Sequence, residues 1–142
     1  MPTFKHGKNA SFALDNASGT LTDISNTLNE VTLPRSIETA ETTAFGDDDK
    51  TYIVGLGDAT ISVSGMFDAT VDSHINGVIS ALKAGTIASA SFEYGPAGSV
   101  SGSPQLTGEA LITSYEIGSP VGDVVTYSLE LQVSGSVASG TF

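Results

Sequence analysis

The sequence predicts a mainly β protein: a β-sandwich of antiparallel strands with one flanking α-helix at about residues 69–84 and a long inter-strand loop. Three observations carry this. Apolar and polar residues alternate at period two in several separate segments, as strands buried on one face require. Hydrophobic residues make up 39% of the chain and charged ones only 15%, with 16 glycines, so the polar surface is built largely from Ser and Thr. One stretch alone exchanges the period of two for a helical one. A chain of 142 residues fits a single domain that can bury a core without disulfide or metal staples.

Taken in order, strands are expected near 11–15, 30–39 and 41–45, then across "ATISVSGMF" (59–67) and "TIASASFEYG" (86–95). Between the last two, Val71, Ile75, Val78, Ile79 and Leu82 recur at helical spacing and form one apolar stripe. Asp68 or Thr70 can cap its start and Gly85 its end. Gly77 inside this helix costs about 1 kcal/mol relative to Ala, so packing against a sheet has to hold it. "EYGPAGSVSGSPQ" is a surface loop of Gly, Pro and Ser.

The clearest strand is "VVTYSLELQVSG", with Val125, Tyr127, Leu129, Leu131 and Val133 on one side and Thr126, Ser128, Glu130 and Gln132 on the other. "LTGEALITSYEIG" precedes it, and "SPVGD" between them supplies Pro and Gly for a tight turn. A turn centred on Val121 pairs Ile117 with Val125, Tyr115 with Tyr127 and Leu111 with Leu131 on the core face. Glu116 and Glu130 then share the polar face with Ser114. Residues 1–10 read as an N-terminal arm, 44–58 as an extended loop and 135–142 as a weakly structured tail, all within one domain of residues 1–142.

Charge excludes some functions. The formal net charge is -11, and beyond Lys83 the chain has five acids, Glu93, Glu109, Glu116, Asp123 and Glu130, and no Lys or Arg. Affinity for nucleic acid comes from cations that displace counterions, so such a chain repels DNA. Without cysteine there is no disulfide framework, no zinc thiolate and no thiol nucleophile. The basic start lacks a following apolar segment and no long apolar run occurs, so neither a signal peptide nor a membrane span is expected. The sequons at Asn9 and Asn16 carry little weight in a protein made in a cytoplasm.

"GDDDKTYIVGLGD", residues 46–58, is the densest cluster of charge and glycine. A calcium loop spaces its ligands at alternate positions and ends on a distal bidentate Glu, and this stretch does neither. It has no third Gly at the dinucleotide-binding spacing and no Lys-Ser/Thr pair for a phosphate loop. Its residues alone read as a solvated acidic turn.

Catalysis finds no support. His6 and His74 are the only imidazole bases, and "GSVSG" at 98–102 has Val100 where an esterase elbow needs Ser. Glu116 and Glu130 share a face, but no aromatic residues flank them to hold a sugar, and the chain has no Trp. No catalytic residue, metal or cofactor is expected. What remains is a smooth polar sheet face of Ser114, Glu116, Thr126, Ser128, Glu130 and Gln132.

Several segments, in this order and spacing, resemble the major tail tube proteins of tailed bacteriophages, the siphophage type in particular: "SGTLTDISNTLNEVTLP", "ETAETTAFGDDDKTYIVGLGDATISVSGMFDA", "FEYGPAGS" and "GEALITSYEIGSPVGDVVTYSLELQVSG". Phage-derived particles such as gene transfer agents use similar subunits. The resemblance covers roughly residues 10–135 and implies a non-enzymatic structural protein of the virion tail, synthesised in the host bacterial cytoplasm. It implies hexameric rings stacked into a hollow tube for genome delivery, with the inner sheets of neighbouring subunits joined edge to edge. It also implies a loop between early strands that reaches the adjacent ring. By position this loop is Phe45, Asp47, Asp48, Asp49, Lys50, Tyr52, Ile53 and Val54. Implied partners are further copies of the chain, a tape-measure protein, and tail initiator and terminator proteins, with DNA as transient cargo. The polar face bearing Glu116 and Glu130 becomes the candidate lumen lining. The alternative is an acidic sandwich module that binds a carbohydrate or a protein at a virion or cell surface.

Overall fold

The computed structural model describes residues 4–142. The described residues form eight strands and one α-helix: β1 Ser11–Asp15, β2 Leu21–Asp23, β3 Leu28–Thr32, β4 Arg35–Glu41, β5 Tyr52–Met66, α1 Ala69–Ala84, β6 Ala90–Gly95, β7 Pro104–Gly118 and β8 Thr126–Thr141. Every strand pairing is antiparallel. The strands follow one path, β2-β1-β6-β7-β8-β5-β3, with β4 added on β5. The two ends of that path, β2 and β3, are separated in sequence only by residues 24–27. The sheet therefore has to curl until its ends approach, and the layers of the expected sandwich belong to one continuous sheet.

The core lies inside this curl. Phe12 and Leu14 of β1, Ile61 and Val63 of β5, Phe92 of β6, and Leu129 and Leu131 of β8 are almost wholly buried. The side of β8 that the alternation assigns to the core is buried from Tyr127 to Val133. The helix has the predicted limits. Asp68 caps it, accepting from the N–H groups of Thr70 and Val71 at 3.1 and 3.3 Å, and Gly85 ends it. Val71, Ile75 and Val78 are buried against the sheet, and Ala81 joins them, while Ile79 and Leu82 pack at the margin.

Several boundaries differ from expectation. The single strand expected over 30–39 is divided at Leu33 and Pro34 into β3 and β4, and residues 42–45 belong to a turn region and not to a strand. Strand β2 carries no sequence signal of its own, being three residues long with only partial burial. The tail at 135–142 is the second half of β8, where Ala138 to Thr141 pair with Thr107 to Pro104. Its Ser, Gly and Ala residues gain order from backbone pairing, which needs no apolar side chains. In the N-terminal arm, residues 7–9 form a short 3-10 turn, and residues 1–3 lie outside the described residues.

The register of the β7–β8 hairpin is shifted from the expected one, by two residues near the turn and by one residue at Leu111. Ile117 faces Tyr127, Tyr115 faces Leu129, and Leu111 faces Gln132. An irregularity between Ile112 and Ser114 adds one residue to β7 and reverses the side its later residues present. Ile112 and Tyr115 consequently pack at the core and Leu111 turns outward, while Ile117 keeps to the Tyr127 side but stays half-exposed at the end of the hairpin.

Candidate functional site: a polar sheet face and a projecting hairpin

Two surfaces stand out, and β5 contributes to both. Over residues 60–66 this strand is sandwiched between β8 and β3; over residues 52–59 it pairs only with β4. The first half of β5 and all of β4 thus project from the body as a two-stranded arm.

On the body, pairing gathers the predicted polar residues onto one face. Ser114 lies opposite Glu130, which lies opposite Ser62; Glu116 lies opposite Ser128, which lies opposite Ser64. Thr126 faces Met66, and Gln132 faces Thr60. The face continues onto β3 through Glu30 beside Ser64 and Thr32 beside Ser62. The β5 and β3 residues were absent from the predicted set, although the small polar residues at alternate positions of "ATISVSG" are their signal. Glu116 and Glu130 are diagonal neighbours, which avoids the direct opposition of like charges that destabilises a sheet. Gln132 reaches toward the arm, its Nε2 donating to Asp58 Oδ1 at 2.7 Å and to the Ala59 carbonyl at 3.0 Å. The named residues of this face include no Lys or Arg. Hydroxyls and carboxylates give it many acceptors and a negative field, with nothing to grip a phosphate.

The arm accounts for the other predicted residues and corrects the extended loop at 44–58. Tyr52, Ile53 and Val54 are strand residues facing Glu41, Ala40 and Thr39, and only residues 42–51 connect the strands. The connection is itself closed by hydrogen bonds. Thr42 N–H donates to the Thr51 carbonyl at 2.7 Å, Thr51 N–H to Thr43 Oγ1 at 3.0 Å, and Ala44 N–H to Asp47 Oδ2 at 2.7 Å. At the tip, Asp47 N–H bonds the Ala44 carbonyl, with Gly46 at φ 95° in the position where a type II turn requires a positive φ. Asp47 is thus engaged within the turn, while Asp48, Asp49 and Lys50 face solvent, as does Phe45.

No residue of β4 is buried, and neither is any of β5 from Tyr52 to Asp58. The arm nevertheless exposes Ile37, Tyr52, Ile53, Val54 and Leu56, the last at 76% of its full area. Alternation along β4 puts Ile37, Tyr52 and Val54 on one side of the ribbon and Ala40 and Ile53 on the other, so both sides are apolar. A free two-stranded ribbon is marginal in water, and an exposed apolar patch of this kind marks an interaction site.

Two tyrosines anchor the helix end of the body. Tyr115 donates to Asp72 Oδ1 at 2.7 Å and meets the Tyr127 ring edge-on at 6.0 Å. Burial pushes both phenols above their ordinary range, and the neighbouring carboxylates Asp72 and Asp68 add to the shift of Tyr115 and Tyr127 respectively, while the hydrogen bond between Tyr127 and Thr27 opposes it at Tyr127. Among the described residues no group of three or more His, Cys, Asp or Glu is arranged to hold a metal ion.

The family model described as "Phage tail tube protein" matches residues 6–139. No curated protein sequence matches. Among solved structures, the fold is shared with a chain from the tail of an empty gene transfer agent particle refined with C6 symmetry. That likeness has a TM-score of 0.74 at 18% identity and covers 95% of this chain and 98% of that one. A chain of the SPP1 tail tube gives 0.73 at 15% identity, covering 98% of this chain and 80% of that one. A chain of the six-fold symmetrised anti-feeding prophage baseplate gives 0.74 at 14% identity, covering 99% and 98%. The polar face and the projecting apolar arm are features of a subunit built to assemble, and the match over nearly the whole length identifies the chain as a member of the phage tail tube protein family, a structural subunit of a tail tube.

Proposed function

We propose that the chain forms hexameric rings that stack into the hollow tube of a phage tail or gene transfer agent, and that the polar face lines its lumen. The observation that carries this is the field of hydroxyls and carboxylates across β3, β5, β8 and β7, centred on Ser62, Glu130 and Ser114 and bounded by Met66 and Leu111. DNA passing such a wall meets repulsion and no cationic handle, so it slides without binding. Six-fold order is supported by the C6 symmetry of the gene transfer agent tail whose subunit shares this fold. In the same scheme the arm crosses to the adjacent ring, where its two apolar sides are covered. Head-to-tail contact of this kind does not close on itself, so it generates a filament.

The tube would grow around a tape-measure protein between initiator and terminator proteins, from subunits made in the bacterial cytoplasm, with DNA as transient cargo. Electron microscopy of the purified protein at high concentration tests the scheme. Long hollow tubes or six-fold rings are the expected result; a monodisperse monomer that binds a glycan would return the protein to the class of surface-binding modules.

A further inference from the structure

The arm's acceptor on the next copy is not given by the arm itself, but its tip has a distinct chemistry. Phe45 is fully exposed, and Asp48 and Asp49 point outward beside it. A matching surface needs an apolar floor and a basic rim. In a chain of net charge -11 with five Lys and Arg residues, basic rims are scarce. Two other cavities are acidic, one lined by Asp15, Glu93 and Glu109 and another by Glu116, and a third, at the base of the arm, sets its single cation Arg35 beside Asp58.

One groove has the required character. It has a volume of about 560 Å³ and runs between the N-terminal segment and the start of β3, lined by His6, Lys8, Phe12, Leu28 and Val31, with Glu30 as its one carboxylate. Phe12 is buried beneath it, and Leu28 and Val31 are half-buried core residues, so the floor is apolar. Lys8 stands on the rim and Lys5 lies three residues before it. One of the chain's five Lys and Arg residues, Lys8, thus lines this groove, and a second, Lys5, is close to it in sequence.

We infer that this groove receives the arm tip of a second copy in the adjacent ring, with Phe45 on the Phe12–Leu28–Val31 floor and Asp48 and Asp49 against Lys5 and Lys8. The inference rests on the arm being the inter-ring contact. Its physical logic is that copies of a strongly acidic chain repel one another almost everywhere. A carboxylate-bearing tip meeting lysines supplies local attraction and fixes the stacking register.

The test is a charge exchange read by electron microscopy and light scattering. Lys5→Glu with Lys8→Glu makes a groove variant, and Asp48→Lys with Asp49→Lys makes an arm variant. Each alone should keep the wild-type circular dichroism spectrum and still form rings, while tube yield drops roughly tenfold or more. The four substitutions combined in one chain should restore tubes. Mixing the two variants after ring formation should also restore them: each arm-variant tip then meets a groove-variant rim, and the unaltered tip of one meets the unaltered rim of the other. Wild-type tube yield from either variant, loss of rings, or a mixture that fails to build tubes would overturn the assignment. A control separates this from the scheme beneath it, namely replacement of residues 37–57 by an Asn-Gly turn between Ser36 and Asp58. If that variant still forms tubes, the arm is not the inter-ring contact. If it fails while the charge variants assemble normally, the arm stands and the groove is wrong.

Discussion

Tyr115 on β7 donates its phenolic hydrogen to Asp72 on α1 at 2.7 Å, and this bond ties the helix to the strand on which the β7 irregularity has just reversed the facing of side chains. Without the extra residue near Ser114, Tyr115 would point to the other side of the sheet. The irregularity and the helix anchor therefore form one design. Removing the hydroxyl in Tyr115→Phe should cost about 1–2 kcal/mol, the range for a hydrogen bond to a charged acceptor at a partly exposed site. Thermal denaturation of the monomer measures this directly, and an unchanged midpoint would show that the bond contributes nothing.

The same pair predicts an alkaline limit. The folded state holds the phenolic protons of Tyr115 and Tyr127 above the ordinary tyrosine range, chiefly through burial. Above a pH of about 10 the unfolded chain releases them while the folded chain retains them. The folded state then binds more protons, so stability falls as pH rises. Below that pH this contribution is constant. Denaturant titrations from pH 8 to 11 should show the decline, and Tyr115→Phe should make it shallower.

Asp68→Ala removes the acceptor for Thr70 and Val71 at the helix start and should lower stability by about 1 kcal/mol. Asp68→Asn, which keeps an acceptor oxygen, should recover most of it. Equal losses in the two variants would assign the effect to charge and not to the cap.

Gly65→Ala tests the close approach of β3 to β5. A Cβ at this position would collide with the Thr27 carbonyl and the Leu28 backbone. Backbone cannot swing aside as a side chain does, so a loss of about 1–3 kcal/mol is expected. Increased amide exchange in β3 should accompany it, and native exchange rates there would contradict the account.

Glu130→Lys places a cation at the centre of the polar face, opposite Ser62 and Ser114. Tubes should assemble normally and genome ejection should be hindered. Unimpeded release of DNA from such particles would remove the lumen assignment.

Replacing Ile53, Val54 and Leu56 with Ser should shift monomer stability by less than about 0.5 kcal/mol, because none of the three is buried in the monomer. Tube formation should be lost. A large drop in monomer stability would mean that the arm packs on its own body.

How much of this was legible in the sequence depended on whether a residue's environment leaves a periodic trace. Helix α1 was predicted to the residue because its buried stripe, its Asp68 cap and Gly85 agree. The core side of β8 was equally plain from Tyr127 to Val133. The arm was not, because a ribbon exposed on both sides has no reason to alternate, and Tyr52, Ile53 and Val54 follow one another without a polar partner. The register of β7 was missed for another reason: the extra residue near Ser114 changes which side faces the core without any side-chain signature. Of the candidate sites, the polar residues of β7 and β8 emerged from alternation alone. Those on β3 and β5 came only with the pairing.

The strand order has a consequence for biosynthesis. β8 is the last strand in sequence, yet it lies between β7 and β5 in the middle of the sheet. During translation the preceding strands emerge with the place between them vacant, and the core around Leu129 and Leu131 cannot close until β8 has been made. Folding then depends on pairings between distant parts of the chain, which makes it slow and late. A chain without β8 offers two unjoined half-sheets, β2-β1-β6-β7 and β5-β3, in place of a smaller subunit.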